Sequence, residues 1–295
     1  YYIYLDSVSI VDIAFSSGGF SGISYCCFIR SLKKKNILQG VKRISGSSVG
    51  AIFAILINAG YNSTEIAEII NEHNFGELRD QTDFVSNLFR LIFNYGFYTC
   101  NTFYDWIGNL LEKKGYSENC TFLELYTETQ KELILTGTHL NSLKTVYYSY
   151  KKTPSMSVRD ALRISVSIPL YFEPIEELNE YYIDGGVYCH CPINVFEEYD
   201  PDLSKTVAFY IQNTINENKN HKITNIFHFI NILFKSMTSY AERFQYKINY
   251  IPRTVFINPK DISSIDFNIK KKKKRSLVRK GYRETNKFFS KKWIS

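Results

Sequence analysis

Two glycine-rich turns, each set between a short apolar run and a helical pattern, constrain this 295-residue chain more than any other feature. Val8 to Phe15 is rich in β-branched and apolar residues and ends in Ser16-Ser17-Gly18-Gly19-Phe20-Ser21-Gly22. A helical pattern follows through Cys26, Ile29, Leu32 and Lys33. Lys33-Lys34-Lys35 closes it, as cations suit the negative end of a helix dipole. Val41 to Ile44 repeats the arrangement: it meets Gly46-Ser47-Ser48-Val49-Gly50, and an apolar helix, Ala51 to Ala59, stops at Gly60. Strand, glycine turn and helix, twice over, predict parallel strands joined by helical crossovers.

The remaining pattern extends this plan. Asn62-Ser63-Thr64-Glu65 caps a helix expected over Glu65 to Asn71, and Phe84 to Phe93 and Phe103 to Lys113 read as amphipathic helices. Leu133 to Thr138 and Thr145 to Tyr150 read as neighbouring strands. Val158 to Val166 reads as a helix that ends before Ile168-Pro169. Tyr181 to Ile183 is a strand entering Asp184-Gly185-Gly186, and Thr206 to Gln212 is the last clear strand. Ile223, Phe227, Ile230, Phe234, Met237, Ala241 and Phe244 form a helical stripe; a final helix carries Val278, Tyr282, Phe289 and Trp293 on one side. With no internal repeat and no Pro, Gly or Ser-rich linker, one domain over residues 1–295 is expected.

Hydrophobic residues at 44 % and charged residues at 22 % exclude a disordered chain, a collagen-like repeat and a small disulfide scaffold. The charge is uneven. Lys270 to Lys292 holds twelve cations and one acid, Glu284, so the body of the chain is mildly acidic although the whole carries +7. The longest uncharged stretch, Ile44 to Thr64, has an apolar part, Val49 to Ala59, of about half the roughly 20 residues a membrane span needs. No signal-peptide pattern opens the sequence. The six cysteines, Cys26, Cys27, Cys100, Cys120, Cys189 and Cys191, lack a secreted framework's spacing, and Cys189-His190-Cys191 has no second pair to complete a zinc site. Free thiols are expected.

Gly46-Ser47-Ser48-Val49-Gly50 fits G-x-S-x-G, in which a serine on a sharp strand-to-helix turn needs small residues two positions away on either side. The following helix aims its N-terminal amides and dipole at developing negative charge. A tight turn without chemistry gives the same five letters. Gly18-Gly19, with Gly22 beyond, lacks both the Lys-Ser/Thr of a P-loop and the spacing of a dinucleotide fingerprint, which leaves an oxyanion site or a plain turn. None of His73, His139, His190, His221 or His228 stands where a triad would place its base. Asp184 follows a strand directly and is fixed by Gly185 and Gly186, so its carboxylate is a candidate base; a simple Asp-Gly β-turn is the alternative.

In order and spacing, Ser16 to Gly22, Gly46-Ser47-Ser48-Val49-Gly50-Ala51, Ser165-Val166-Ser167-Ile168-Pro169 and Asp184-Gly185-Gly186 resemble the patatin-like phospholipases. The resemblance is strong over about residues 9–196 and extends weakly to Leu277 and Gly281-Tyr282 in the final helix, from about residue 270 to 293. It implies a three-layer α/β/α fold with a central mainly parallel sheet, and a Ser-Asp dyad without histidine. By that resemblance Ser48 is the nucleophile, Asp184 its base, and the Gly18 and Gly19 amides the oxyanion hole, with Gly22, Gly46, Gly50, Gly185 and Gly186 as supports. It implies no cofactor and no metal, calcium included. Two departures stand out. The family's turn usually reads Gly-Gly-Gly-x-Arg/Lys-Gly, whereas Ser17 replaces the first glycine here and Ser21 the cation; downstream, His190 stands where the family commonly has asparagine.

The expected function is phospholipase A-type cleavage of acyl esters through an acyl-enzyme. The alternatives are a weak or inactive lipid-binding relative, or a serine esterase or thioesterase on another acyl substrate. Apolar side chains in Phe84 to Phe103 and Ile223 to Phe244 are candidates for an acyl-chain wall. Lys270, Lys271, Lys272, Lys273, Lys274 and Arg275 are expected to dock the protein on anionic membrane rather than nucleic acid, as a cytoplasmic protein peripheral at membranes.

Overall fold

Ile13, Ile44, Leu133 and Val207 stand side by side across four parallel strands, and Phe15, Gly46, Leu135 and Phe209 form the next row on the same face. Between the rows, Ala14, Ser45, Ile134 and Ala208 point to the other side. A strand buried on both faces reads as a continuous apolar run, which is how these segments announced themselves.

The computed structural model of the chain describes residues 10–72, 83–212, 223–259 except 227, 231, 234–235, 238 and 240–245, and 271–292. The elements are β1 (Asp12–Phe15), α1 (Tyr25–Lys34), β2 (Arg43–Gly46), α2 (Val49–Asn58), α3 (Ser63–Glu72), α4 (Phe84–Phe93), β3 (Gly96–Tyr98), α5 (Asn101–Glu112), α6 (Phe122–Thr129) and β4 (Glu132–His139). They continue with β5 (Lys144–Tyr148), α7 (Val158–Ser165), β6 (Leu170–Phe172), β7 (Ile175–Glu177), β8 (Glu180–Asp184), β9 (Thr206–Ile211), β10 (Thr254–Ile257) and α8 (Lys271–Lys292). The main sheet runs β10-β9-β1-β2-β4-β8-β7, with β5 also paired to β4; β10 through β4 are mutually parallel. A two-stranded sheet, β3 with β6, lies apart and was not foreseen from the sequence.

The fold is the three-layer α/β/α arrangement with a mixed, mostly parallel sheet. Side chains from α1, α2, α7 and α8 pack on the Phe15 face in the larger core, among them Phe28, Phe53, Leu162 and Phe289. On the opposite face, among the described residues, the 3-10 turns Pro192–Phe196 and Ile248–Arg253 place Ile193, Phe196 and Tyr250 against Ala14, Ile134 and Ala208. Small side chains on that face admit the close approach, and the Ser45 hydroxyl donates to the Pro192 carbonyl at 2.9 Å.

At the foot of β1, Asp12 is fully buried and meets the Arg43 guanidinium of β2 through two contacts, 2.5 and 3.0 Å. Arg43 lies 4.1 Å over the Tyr199 ring. Burial pushes the Asp12 carboxyl up, and Arg43 pulls it back.

One sequence expectation needs correction. The first strand begins at Asp12, and Val8 lies outside the described residues. Of the apolar stretches expected to wall an acyl channel, Phe84, Phe89 and Phe93 of α4 are exposed, while Phe97, Phe103 and Ile230 are buried. In the later stretch Phe227, Phe234, Ala241 and Phe244 lie outside the described residues, while Ile223 and Met237 are exposed. No described helix is long and apolar enough to cross a membrane, and no disulfide joins the six cysteines.

α8 runs alongside α1 in the same direction. Gly281 sits so close to Ser24, just before α1, that an added Cβ would lie 2.6 Å from the Ser24 carbonyl oxygen. Further on, Lys35, just past α1, lies 5.5 Å over the Phe289 ring. The basic start of α8 therefore extends beyond the start of α1, at the end of the sheet where the parallel strands terminate. Lys273 and Arg275 are exposed there, Lys274 is half-buried, and Lys270 with the side chains of Lys271 and Lys272 lies outside the described residues.

Candidate active site

The two residues singled out by the glycine turns meet through β4. Leu135 pairs with Gly46 of β2 and with Tyr148 of β5, while Gly137 pairs with Asp184 of β8 and Val146 of β5. Each residue has one partner per edge, so β2 and β8 share the edge of β4 opposite β5. They approach head to head, one running up to Gly46 and the other down to Asp184. Two residues past Gly46, Ser48 donates its hydroxyl to the Asp184 carboxylate at 2.6 Å.

Ser48 occupies a strained turn, with φ 53° and ψ −123°, a backbone region that costs a non-glycine residue about 1–3 kcal/mol. The flanking glycines show why the turn needs them. A Cβ on Gly46 would lie 2.4 Å from the Gly50 carbonyl oxygen, and one on Gly50 would lie 2.4 Å from that of Phe15. The N-terminus of α2 begins directly behind the hydroxyl. Ser165, at the end of α7, accepts the Ser48 N–H at 3.0 Å, and the Ser167 carbonyl accepts the Asp184 N–H at 2.9 Å. One short segment thus holds both partners, a role that its residue types alone did not disclose.

Asp184 is fully buried. Its other oxygen accepts the Gly186 N–H at 2.7 Å, and Thr138 donates to its backbone carbonyl at 2.9 Å. Burial drives the Asp184 carboxyl up to about 7, against the lowering effect of the bonds from Ser48 and Gly186. A carboxylate poised there accepts a proton far more readily than an exposed aspartate does. Gly185 and Gly186 are required by space: a Cβ on Gly185 would meet Thr136 Oγ1 at 2.2 Å, and one on Gly186 would meet Ser17 at 2.7 Å.

The Gly18-Gly19 turn adopts φ 149° and 53° and leads into a 3-10 turn over Gly19–Ser24. It packs beside the serine turn, since a Cβ on Gly22 would overlap the Val49 side chain at 2.5 Å. Neither the Gly18 nor the Gly19 N–H has a hydrogen-bond acceptor among the described residues. Ser21 is buried, and its N–H closes the turn onto the Gly18 carbonyl.

The two departures from the usual pattern touch each other. Ser17 donates its N–H to the His190 carbonyl at 2.7 Å, and its hydroxyl meets His190 Nδ1 at 2.6 Å. His190 Nε2 lies 2.9 Å from the Ile211 carbonyl, which can only accept. The Nε2 proton therefore points to that carbonyl, and in the matching tautomer Nδ1 accepts from Ser17. His139 and His228 bond elsewhere, to Glu180 with Ser142 and to Thr224, while His73 and His221 lie outside the described residues. No described histidine bonds to Ser48 or Asp184.

Comparison with known proteins identifies relatives of this chain. A family profile described as Patatin-like phospholipase matches residues 13–196. The chain is 31 % identical over 280 residues to uncharacterized protein R571 of Acanthamoeba polyphaga mimivirus, covering 92 % of this chain and 91 % of that one. Probable lipid hydrolase 463L of Invertebrate iridescent virus 6 is 25 % identical over 210 residues, 68 % of this chain and 67 % of the other. VipD from Legionella pneumophila superposes with a TM-score of 0.64 at 15 % identity, over 96 % of this chain and 67 % of its own, a likeness of fold.

Proposed function

The chain belongs to the patatin-like phospholipase family, and from that premise we propose that it is a phospholipase A-type hydrolase of fatty-acyl esters in membrane phospholipids, working through Ser48 and Asp184. The observation that carries this reading is the 2.6 Å bond between a serine on a strained turn and a buried carboxylate. Asp184 takes the hydroxyl proton as Ser48 Oγ attacks the ester carbonyl. The tetrahedral oxyanion is stabilised by the Gly18 and Gly19 amides and the α2 dipole. Collapse expels the lysolipid alcohol, protonated by Asp184, and leaves an acyl-Ser48. Water, activated by the same carboxylate, then releases the fatty acid. The reaction as proposed uses no metal. A relative described as a probable lipid hydrolase supports the substrate class.

The test is fatty-acid release from phospholipid vesicles by the wild type and by Ser48→Ala. Release by the wild type alone, with a fluorophosphonate probe attached to Ser48 by mass spectrometry, is the expected result. Equal release from both proteins would sink the reading.

The basic start of α8 belongs to the same proposal. Each Lys or Arg near an anionic bilayer contributes on the order of 1 kcal/mol, and Lys270 to Arg275 supply six. Changing Lys270 to Lys274 to Gln is expected to weaken binding to anionic vesicles only, an effect that high salt erases. Unchanged binding would remove the run from the docking surface.

A further inference from the structure

α4 is amphipathic in an unusual sense, for its apolar side faces out. Phe84 is 66 % exposed and Phe93 69 %, and Val85, Leu88, Phe89 and Ile92 accompany them. The helix carries one charge, Arg90, and the Glu173 carboxylate neutralises it at 2.9 Å. A surface helix of a water-soluble fold normally turns such a stripe inward. What turns inward here is Asn87, which is buried.

The surface continues onto neighbouring elements. Directly after α4, Tyr95 makes an edge contact with Tyr181 of β8 at 5.8 Å between ring centres. The Tyr181 carbonyl accepts the Leu140 N–H, which ties in the tip of the β4–β5 hairpin, where Leu143 is exposed. Leu178, at the tip of the β7–β8 hairpin, is 89 % exposed. Tyr182 pairs with His139, the last residue of β4, so the Leu178 tip projects past the end of β4. That is the end of the sheet from which Ser48 emerges. α4 is tied to the same end. Ser165 holds the Ser48 amide, the chain from Ser165 leads into β6, and β6 pairs with β3, the strand that follows α4.

We propose that the outward face of α4, with Tyr95, Leu143 and Leu178, enters the headgroup–acyl boundary of a lipid surface and seats the Ser48 end of the sheet upon it. The proposal rests on the reading of the protein as a lipid hydrolase. Continuity with the catalytic end selects the occupant: this rim lies at the end of the sheet from which Ser48 emerges, where a lipid substrate has to arrive. The composition agrees, because the six outward side chains of α4 have neither charge nor hydrogen-bonding group. A protein interface mixes such residues with Arg and Tyr and a polar rim, whereas a helix lying in a bilayer interface presents an unbroken apolar face. Binding through it needs no anionic lipid and resists salt, which separates it from the cations of α8.

The experiment measures partition of Ser48→Ala, which cannot consume the lipid, onto neutral phosphatidylcholine vesicles in high salt. It compares that protein with one also carrying Phe89→Gln and Phe93→Gln. Removing two exposed phenylalanines should lower partition roughly tenfold to a hundredfold, in proportion to the apolar area withdrawn from the bilayer. A Phe93→Trp variant should be quenched by brominated acyl chains. With Ser48 restored, the double variant should hydrolyse a soluble short-chain ester at the wild-type rate and vesicles more slowly. Unchanged partition, or no quenching, overturns the proposal. So does a lipid-independent dimer that the double variant abolishes, since a second copy would then be the occupant. Loss of the catalytic reading appears separately, as absence of soluble-ester hydrolysis by the wild type.

Discussion

Ser17 and His190, 173 positions apart, are joined by two hydrogen bonds that fasten the Gly18-Gly19 turn to the loop after Asp184. His190 is in turn anchored to the end of β9 through the Ile211 carbonyl. His190→Ala strips the buried Ser17 hydroxyl of its acceptor, so stability should fall by about 1–3 kcal/mol. Vesicle hydrolysis should fall by roughly tenfold, far less than for Ser48→Ala, because the ring positions the turn and transfers no proton. Returning both positions to the family's usual residues, Ser17→Gly with His190→Asn, should recover most of the rate. A single-histidine variant that is folded yet silent would restore a triad and refute the dyad.

Asp184→Asn keeps the shape of the site but cannot take the serine proton. The rate should drop by about 10² to 10⁴, the usual worth of a general base. Circular dichroism should remain that of the wild type.

The pH dependence has a definite sign. Asp184 must be ionised to act, so kcat/KM should rise with pH and reach half its plateau near pH 7. Stability moves the other way. The folded carboxyl binds its proton up to about pH 7, whereas the unfolded chain releases it near the ordinary value of 3.8. Between those values the native state holds the extra proton, so this group's contribution to stability declines as pH rises. Denaturant midpoints should therefore show Asp184→Asn gaining on the wild type between pH 5 and pH 8, while losing activity.

Ser165→Ala leaves the Ser48 N–H buried without its side-chain acceptor. A loss of about 1–3 kcal/mol in stability is expected, together with a lower kcat, since the strained turn loses a tether. Chemical denaturation and steady-state kinetics on one preparation measure both.

At the opposite end of the sheet, Arg43→Met strands the Asp12 carboxylate in the core. Removing one member of a buried pair typically costs about 3–5 kcal/mol. The double change Asp12→Ala with Arg43→Met should be milder than the single one, as a double-mutant cycle would show.

The parallel sheet and the serine turn were legible because their cause is local. Ser48 needs glycines two residues away, and the apolar runs entering both turns have no face to expose. Asp184 was legible as a carboxylate after a strand, while its partner Ser48 was given by the family resemblance and not by anything local to either residue. That pairing depends on β4 carrying β2 and β8 along one edge, and register over nearly 140 residues leaves no trace in a short motif. Ser17 and His190 each read as a departure; only the fold makes them a pair. Phe84 to Phe93 gave a correct helix but not the outward facing of its apolar side, since periodicity reports which residues share a face and not what that face meets.

β4 acts as a ruler for the chemistry. The gap between nucleophile and base follows the distance from Leu135 to Gly137 along a single extended backbone, trimmed by the Ser165–Ser167 segment that holds both partners. A single residue inserted at Thr136 would change it at once, and would also reverse the facing of every side chain beyond it. The two halves of the dyad thus lie within one cooperative unit. On heating, activity should persist until the sheet itself gives way, and then vanish in the same transition.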